Sequence, residues 1–507
     1  MEQLAFDLVQ WPEKKCINGK SFNEAFKLDN MPLSWFYSGS FRASVIPNPV
    51  NLTSFIKGNK KIPLRNKIKS FLYSKLIGKY MNINENKKIR CFKKKKSFSK
   101  DSKVLFLSFS NHISDDKSIF KIQRIINIIK KKKSIKDFVV FADPISLNNY
   151  KKLSNVNNIY QYYDKKIAKK ARIASANLYK KVKALDNKTK ECMFNIKRNL
   201  WPYLKPGFNL YFSKDFMYVA FLYYEIFKKI IEKENIKAVV VTGVGAIHDK
   251  SLLAAAYSLK VPSILIQDGL GEGPRDYSLI SRVAVFNDYC EKMLIEEGIP
   301  KNKMVVVGPI VFDQIYDFIG PKKKKEKKVF IATGSFIEDN LMKKDVYFQR
   351  IKIILEEIKK IDGVSVAIKP HPREKNVGGY KKIIEELNLK NVKIYGGRIS
   401  REEFYSLIHN CDSFIHFGST SSLEAGIIDR PLITLDIFGD DSMTYWVEKG
   451  TTIKITYKDD IRKAVEEALK DEKVIKAKRK KYIKKVCGKV DGKASENVVK
   501  LIEKVFK

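Results

Sequence analysis

The sequence predicts an α/β protein made of two Rossmann-like domains, each with a parallel sheet covered by helices on both faces. Apolar runs of strand length recur along the chain without alternation, and helical segments separate them. A charged break at residues 320–328 interrupts this pattern, which then starts again. Two such domains joined by a linker face each other across a cleft between carboxyl strand ends. We expect the functional site in that cleft.

The first domain is predicted over residues 101–319. It opens with a strand, a helix and a second strand. A long helical stretch at residues 164–194 then resembles an insertion or an extended crossover, after which regular alternation returns. The predicted strands are VLFLSFS, DFVVFAD, AVVVTG, SILIQDG, RVAVFN and MVVVGP.

The second domain is predicted over residues 329–457, with basic helices following at 458–507. Its predicted strands are VFIATGS, VSVAIKPHPR, VKIYGG, SFIHFGS and PLITLD. Residues 1–100 form an N-terminal extension of different character. Within it, the basic stretch Lys67–Tyr80 has apolar residues at helical spacing. A helix packed on a domain and an in-plane contact with a membrane both remain open for this stretch.

The composition is strongly basic, with 98 Lys+Arg against 56 Asp+Glu and a formal net charge of +42. A protein whose lysines only cover solvated faces would have this excess of positive charge, and so would a protein that binds a polyanion. The basic runs lack the arginines and interleaved aromatics of a base-reading surface, so we expect no nucleic-acid partner. An anionic membrane surface remains open as a partner.

The cysteines and the apolar runs bear on the compartment. Six cysteines are scattered without a CxxC pair, which indicates neither a disulfide framework nor a zinc site and suits a reducing compartment. No segment reaches the roughly 18 consecutive apolar residues of a membrane span. The first residues also lack the apolar core of a signal peptide. We expect a cytoplasmic protein, with peripheral contact to the inner face of the membrane as an open alternative.

Three loops of the second domain follow predicted strands directly and carry residue types that bind anions. They are the turn of Gly334 and Ser335, the KPHPR segment with Lys369, His371 and Arg373, and the GSTSSLEAG segment with Ser419, Thr420, Ser421, Ser422 and Glu424. Each has a structural alternative: an ordinary strand end, a buried histidine, and serines that cap a helix. Two features favour anion binding over these alternatives. Prolines on both sides of the histidine restrict the backbone there, and four successive hydroxyl residues are more than a helix cap requires.

The order TGS, KPHPR, GSTSSLEAG and RPLITLD resembles the C-terminal half of glycosyltransferases with the GT-B fold. It is most similar to the group that uses CMP- or CDP-activated donors in cell-surface polymer synthesis, which includes polysialyltransferases, capsule Kdo transferases and teichoic-acid glycerophosphotransferases. The resemblance implies that His371, Ser421 and Ser422 hold the donor phosphate. It also implies that Glu424 contacts ribose or sugar hydroxyls and that Arg398 lies near the nucleotide base.

The first domain supports the same resemblance, which in all covers residues 237–456. The segments VPSILIQDGLGEG and KMVVVGPIVFDQ are similar to the family pattern, but Asp268 stands where relatives have histidine. That histidine resembles the general base of the glycerophosphotransferases, and an aspartate can equally take a proton from an acceptor hydroxyl. A helix-capping aspartate in a glycine turn is the alternative. Glu272 and His248 are secondary candidates for the base.

The resemblance implies transfer of a sugar unit from a nucleotide-activated donor to a cell-surface glycan or a lipid-linked acceptor. No DxD-type motif lies near a predicted strand end, so we expect metal-independent transfer with no cofactor. Lys369, His371 and the serine hydroxyls would stabilise the departing phosphate. Two alternatives remain open. One is a UDP-GlcNAc 2-epimerase on the same fold, although the chain lacks a GTRPE motif and has 5 His. The other is a non-catalytic, polyanion-binding scaffold.

Overall fold

The computed structural model describes most of the chain. The described residues are 11–36, 76, 79–89, 101–108, 119, 122–132, 135, 137–142, 157–195, 199–267, 276–296, 298–320, 327–339, 341–396, 399–439 and 450–506. Asp268, Glu272 and Arg398 lie outside these residues, and so does most of Lys67–Tyr80.

The first six-stranded sheet is entirely parallel. Helices connect its successive strands, as parallel pairing requires long crossovers, except that no helix is described between β6 and β7. In spatial order it runs β4-β3-β5-β6-β7-β8. The strands are β3 (Lys103–Ser108), β4 (Asp137–Ala142), β5 (Ile236–Val241), β6 (Ser263–Ile266), β7 (Arg282–Val285) and β8 (Met304–Val306). All six were predicted.

The second sheet is also six-stranded and parallel, in the order β11-β10-β9-β12-β13-β14. Its strands are β9 (Lys327–Ala332), β10 (Val364–Lys369), β11 (Val392–Ile394), β12 (Ser413–His416), β13 (Leu432–Asp436) and β14 (Ile453–Thr456). The sequence analysis missed β14. That strand has only 4 residues with lysine in its second position, and it pairs only along β13 at the sheet edge.

Helices cover both sheets. Before and around the first sheet they are α1 (Phe22–Ala25), α2 (79–89), α3 (Gln123–Lys131), α4 (Lys165–Lys183), α5 (Asn187–Phe194), α6 (Trp201–Tyr211), α7 (Lys214–Lys233), α8 (Ile247–Ser258) and α9 (Asp288–Glu296). Those that follow are α10 (Lys344–Lys359), α11 (Val377–Glu386), α12 (Arg401–His409), α13 (Ser421–Ile427), α14 (Ile461–Lys470), α15 (Lys473–Cys487) and α16 (Ala494–Phe506). The long helical stretch expected over 164–194 consists of two helices, α4 and α5.

The last helix returns to the first domain. Val498 and Ile502 of α16 are fully buried in the same core cluster as Val104 and Phe106 of β3. Asp313 anchors the start of this helix, because its carboxylate accepts the main-chain N–H groups of Ala494 and Ser495 at 3.1 and 2.6 Å. The chain therefore passes between the domains twice, at the linker and again before α16.

The N-terminal segment packs on the first domain through aromatic and covalent contacts. It contains the strand pair β1 (Lys27–Leu28) and β2 (Met31–Pro32), which are antiparallel. The ring of Trp11 lies 4.7 Å from that of Phe194 between centroids. A disulfide joins Cys16 to Cys192 with their Cα atoms 6.0 Å apart. The expectation that the scattered cysteines form no disulfide framework did not anticipate this pair, because the two residues are far apart in sequence and adjacent only in the fold.

Candidate functional site

The three predicted loops lie side by side. Strands β10, β9 and β12 are neighbours in the second sheet, and parallel strands end at the same edge. The loops that begin at Thr333, Pro370 and Phe417 therefore share that edge. The main-chain N–H of Thr333 donates to the carbonyl of Lys369 at 3.2 Å and joins the first two loops directly.

Glu374 holds the histidine loop in place. One of its carboxylate oxygens accepts the main-chain N–H of His371 at 2.7 Å and also the hydroxyl of Thr333. The other accepts the hydroxyl of Tyr380 at 2.6 Å, and Tyr380 contacts Tyr347 in turn at 2.8 Å between hydroxyl oxygens. Burial raises the pKa of Glu374, and the hydrogen bonds oppose that shift. Sequence analysis missed this residue, although it follows the KPHPR segment directly.

The tautomer of His371 is set by its own loop. The main-chain N–H of Arg373 donates to Nδ1 of His371 at 3.2 Å, so the proton of the neutral ring lies on Nε2. Burial lowers the pKa of this histidine, and the charge of Arg373 acts in the same direction. His371 is partly exposed. It can therefore present an Nε2–H donor to an anion at the sheet edge.

Arg373 and Ser335 are bound to one carboxylate. The guanidinium of Arg373 makes two bonds to Asp339, at 2.6 and 2.9 Å, and the hydroxyl of Ser335 donates to the same carboxylate at 2.8 Å. Both residues were predicted to bind a donor. In the structure Asp339 takes up these groups and ties the first loop to the second. Asp339 was not singled out from the sequence, because nothing in its spacing marks it.

Lys369 is buried at the end of β10, and Gly334 is half-buried after β9. The ammonium of Lys369 donates to the carbonyl of Pro370 at 2.6 Å, and burial lowers the pKa of Lys369 to about 8. A Cβ atom on Gly334 would lie 2.6 Å from the ring of Phe336, so packing requires a glycine here. The small residue at this strand end thus serves the core.

Some hydroxyl groups of the serine loop bond within the loop, and others do not. The hydroxyl of Ser422 donates to the carbonyl of Ser419 at 2.9 Å, and the hydroxyl of Ser419 accepts the main-chain N–H of Ser421 at 3.3 Å. The buried Oγ of Ser421 has no hydrogen-bond partner among the residues that the structure describes. Thr420 is exposed. Helix α13, which this loop opens, has only 7 residues, so the loop hydroxyls matter more here than a long helix dipole.

Glu424 is already paired. Its carboxylate accepts the guanidinium of Arg401 at 2.9 Å and lies 3.4 Å from the hydroxyl of Tyr405. Burial raises the pKa of Glu424, and Arg401 opposes this shift. The side chain of Arg401 keeps a third of its surface exposed. Arg401, which sequence analysis did not identify, is thus the group of this pair that faces solvent.

In the first domain, His248 lies at the start of α8, after β5. It is buried, with Nε2 3.4 Å from a carboxylate oxygen of Asp249, and burial lowers its pKa to about 3. Two residues after His248, the ammonium of Lys250 donates to the carbonyl of Trp35 at 2.7 Å, and the Trp35 indole donates to the Lys250 carbonyl at 2.9 Å. The N-terminal segment therefore supports the turn that carries His248.

Comparisons with known proteins identify the fold. No protein-family model matches the sequence, and no curated protein matches it. A solved structure described as a UDP-N-acetylglucosamine 2-epimerase from Listeria monocytogenes is 12% identical and covers 81% of this chain and 97% of its own, with a TM-score of 0.50. The chain has the GT-B fold. The predicted fold class is confirmed.

Other solved GT-B structures are similar with lower TM-scores. UDP-GlcNAc 2-epimerase from Neisseria meningitidis is 15% identical with a TM-score of 0.48, over 80% of this chain and 100% of its own. Acinetobacter baumannii MurG is 12% identical with a TM-score of 0.41, over 79% and 99%. Identity at this level shows the fold alone. The resemblance to transferases with CMP- or CDP-linked donors stays a prediction.

Within the described residues, no group of three His, Cys, Asp or Glu side chains is placed to hold a metal ion. No helix in the described part of the chain is long and apolar enough to cross a membrane.

Proposed function

We propose that the protein is a glycosyltransferase, or a glycerophosphotransferase-like enzyme, that uses a nucleotide-activated donor linked to CMP or CDP. The acceptor would be a cell-surface glycan or a lipid-linked glycan. One observation carries the proposal: the fixed Nε2–H donor of His371 and the unbonded hydroxyl of Ser421 lie on loops at one edge of the second sheet. Such an edge in this fold suits a nucleotide phosphate.

Charge determines the chemistry of the proposed step. As the acceptor oxygen bonds to the transferred unit, the bond from that unit to the donor phosphate breaks, and negative charge grows on the phosphate. His371 would donate a hydrogen bond to it, with Lys369 and Ser421 beside it, so that no metal is required. Asp268 would take the proton of the acceptor hydroxyl, as the family resemblance implies.

Calorimetric titration tests the donor. CMP, CDP, UDP and GDP are titrated into the full chain, first without and then with magnesium. We expect binding selective for cytidine nucleotides and unchanged by magnesium, and H371A should weaken it. H409A is the matched control, because His409 is buried and contacts the carbonyl of Phe318 instead. Binding of none of the nucleotides, or unchanged binding by H371A, would contradict the proposal.

A UDP-GlcNAc 2-epimerase is the second candidate. Its support is the similarity to the Listeria monocytogenes structure at a TM-score of 0.50. The two candidates differ in their acceptor, since an epimerase needs none. Incubation with UDP-GlcNAc alone and separation of the products would show UDP-ManNAc if the epimerase is correct. A preference for uridine nucleotides in the titration would favour this candidate or a UDP-sugar transferase.

We also propose that the protein works as a peripheral protein on an anionic leaflet, where a lipid-linked acceptor would lie. The support is the formal net charge of +42. Flotation with vesicles of phosphatidylcholine, and with an equimolar mixture of phosphatidylcholine and phosphatidylglycerol, tests this. We expect flotation with the anionic vesicles only. A protein that floats with neither contradicts the membrane contact and leaves the donor chemistry untouched.

A further inference from the structure

Helix α4 is the most one-sided charged element of the first domain. Its sequence, KKIAKKARIASANLYKKVK, contains eight cationic residues and no acidic one over 19 residues. At about 1.5 Å per residue the helix is about 28 Å long. Asp164 caps its first turn by accepting the main-chain N–H of Ile167 at 2.8 Å. It is thus a well-formed helix of unusually uniform charge.

One face of α4 is fixed to the domain. Ile167, Ala171, Leu178 and Val182 are buried at helical spacing. This face packs against α7, where Lys170 pairs with Glu225 at 2.8 Å. The opposite face is therefore held in one orientation by the core.

That opposite face forms a single stripe. Lys166, Lys169, Ile173 and Lys180 are all exposed and recur at i, i+3, i+7 and i+14, which places them along one line of the helix. Ile173, near the middle, is 52% exposed. None of the three lysines pairs with a carboxylate among the described residues. Unpaired lysines held along one line can contact the phosphates of an anionic leaflet together, and an exposed isoleucine among them adds apolar area to such a contact.

We propose that this stripe of α4, defined by Lys166, Lys169, Ile173 and Lys180, is the surface that docks on an anionic lipid bilayer. The inference rests on the peripheral location proposed above and names the surface responsible for it. Lysine ammonium groups contact lipid phosphates, and Ile173 enters the boundary of the acyl chains. Lipid is favoured over nucleic acid because the stripe offers no aromatic ring for a base to stack on.

Helix α15 provides the strictest comparison within the chain. It too carries eight cationic residues and no acidic one, and it exposes Val474. Several of its cations are already neutralised, however. Arg479 bonds to Asp429 at 2.9 Å and to Asp471 at 3.1 Å, and Lys480 lies 3.2 Å from Asp429. If overall charge alone drove attachment, both helices would contribute equally.

The test compares two triple variants of equal net charge in the full chain. K166E/K169E/K180E changes the α4 stripe, while K473E/K478E/K481E changes three exposed lysines of α15 that lie outside the ion pairs with Asp429 and Asp471. Partitioning onto the equimolar anionic vesicles is measured by flotation. Each lysine near an anionic surface contributes about fivefold to partitioning, so the α4 variant should lose about 100-fold or more. The α15 variant should lose far less, and I173S should lose part of the binding.

Further measurements keep the outcomes distinct. Circular dichroism and thermal melting check that each variant is folded, and K166Q/K169Q/K180Q replaces the glutamate variant if that one is not. Nucleotide titration of the α4 variant should match the wild type, because these lysines contact none of the site residues. Equal losses in the two triple variants would overturn the proposal. So would binding of wild-type protein to duplex RNA but not to vesicles, abolished by the α4 changes.

Discussion

The ring of His371 is the residue-scale feature with the sharpest consequence. Because Nδ1 accepts the main-chain N–H of Arg373, only Nε2 is left to donate a hydrogen bond to a ligand. Glutamine places an amide N–H near the position of Nε2, whereas asparagine substitutes only for Nδ1. We expect H371Q to retain most of the nucleotide affinity and H371N to lose about 10-fold or more, the value of a hydrogen bond to a charged group. Calorimetry measures both, and the reverse order would contradict an Nε2 contact.

Lys369 gives a pH dependence with a definite sign. Burial lowers its pKa to about 8, so the ammonium is charged below that pH and loses its proton above it. If the charge supports the donor phosphate, nucleotide affinity should be constant from neutral pH to about 8 and should then fall. K369M should bind weakly throughout and lack this fall. A wild-type affinity that is flat to pH 9.5 would exclude a role for the Lys369 charge, as free phosphate pKa values lie well below this range.

At the scale of elements, the disulfide between Cys16 and Cys192 ties the N-terminal segment to α5. It closes a loop across a sequence separation of 176 residues, which restricts the unfolded chain strongly. We expect dithiothreitol to lower the free energy of unfolding of the wild type by about 2–5 kcal/mol in urea titrations.

The variant C16S/C192S should already show the lower stability and should not respond to dithiothreitol. C290S is the control, since Cys290 is a buried free thiol. Thiol titration of the denatured, unreduced protein should find fewer free thiols than the 6 Cys of the sequence, and a full count would contradict the cross-link.

The capping of α16 by Asp313 gives a second prediction at this scale. The carboxylate is buried and accepts two main-chain N–H groups, so D313A leaves both without a partner. We expect a loss of about 1–3 kcal/mol in the free energy of unfolding. D491A is the matched control, because Asp491 accepts a nearby N–H from Lys493 but is partly exposed. Equal losses in the two variants would mean that burial does not matter here.

The strands and the positions of the loops that follow them were readable from the sequence, while the partners of each side chain were not. Continuous apolar runs such as VVV in β5, bounded by turn residues and separated by helical segments, are typical of strands buried on both faces, so the sheets were predictable. The pairing of Arg373 with Asp339 depends on two loops of adjacent strands meeting. The link between Cys16 and Cys192 likewise depends on tertiary packing. Spacing along a chain carries no information on such contacts.

At the scale of the whole molecule, buried residues of both domains belong to one apolar cluster, which includes Phe312 of the first domain and Tyr405 of the second. Trp35 of the N-terminal segment is bonded to Lys250 at the start of α8, and His409 of the second domain contacts the carbonyl of Phe318 just before the linker. The loops that carry His371 and Ser421 belong to the second sheet, so the proposed donor site lies in the second domain, whereas Asp268, the proposed base, belongs to the first. The relative placement of the two domains then depends on this shared cluster as well as on the two passages of the chain between them.

The packing of α16 on the first domain also determines when that domain can complete its core during translation. All six strands of the first sheet leave the ribosome before the second domain begins, yet Val498, Val499 and Ile502 complete the core against β3 and α3. One face of that sheet, on which α3 already packs, therefore stays only partly covered while the whole second domain is being translated. A nascent chain in this state presents apolar surface for chaperones to bind, and a premature stop codon just upstream of α16 would leave both sheets encoded but the first one without its final cover.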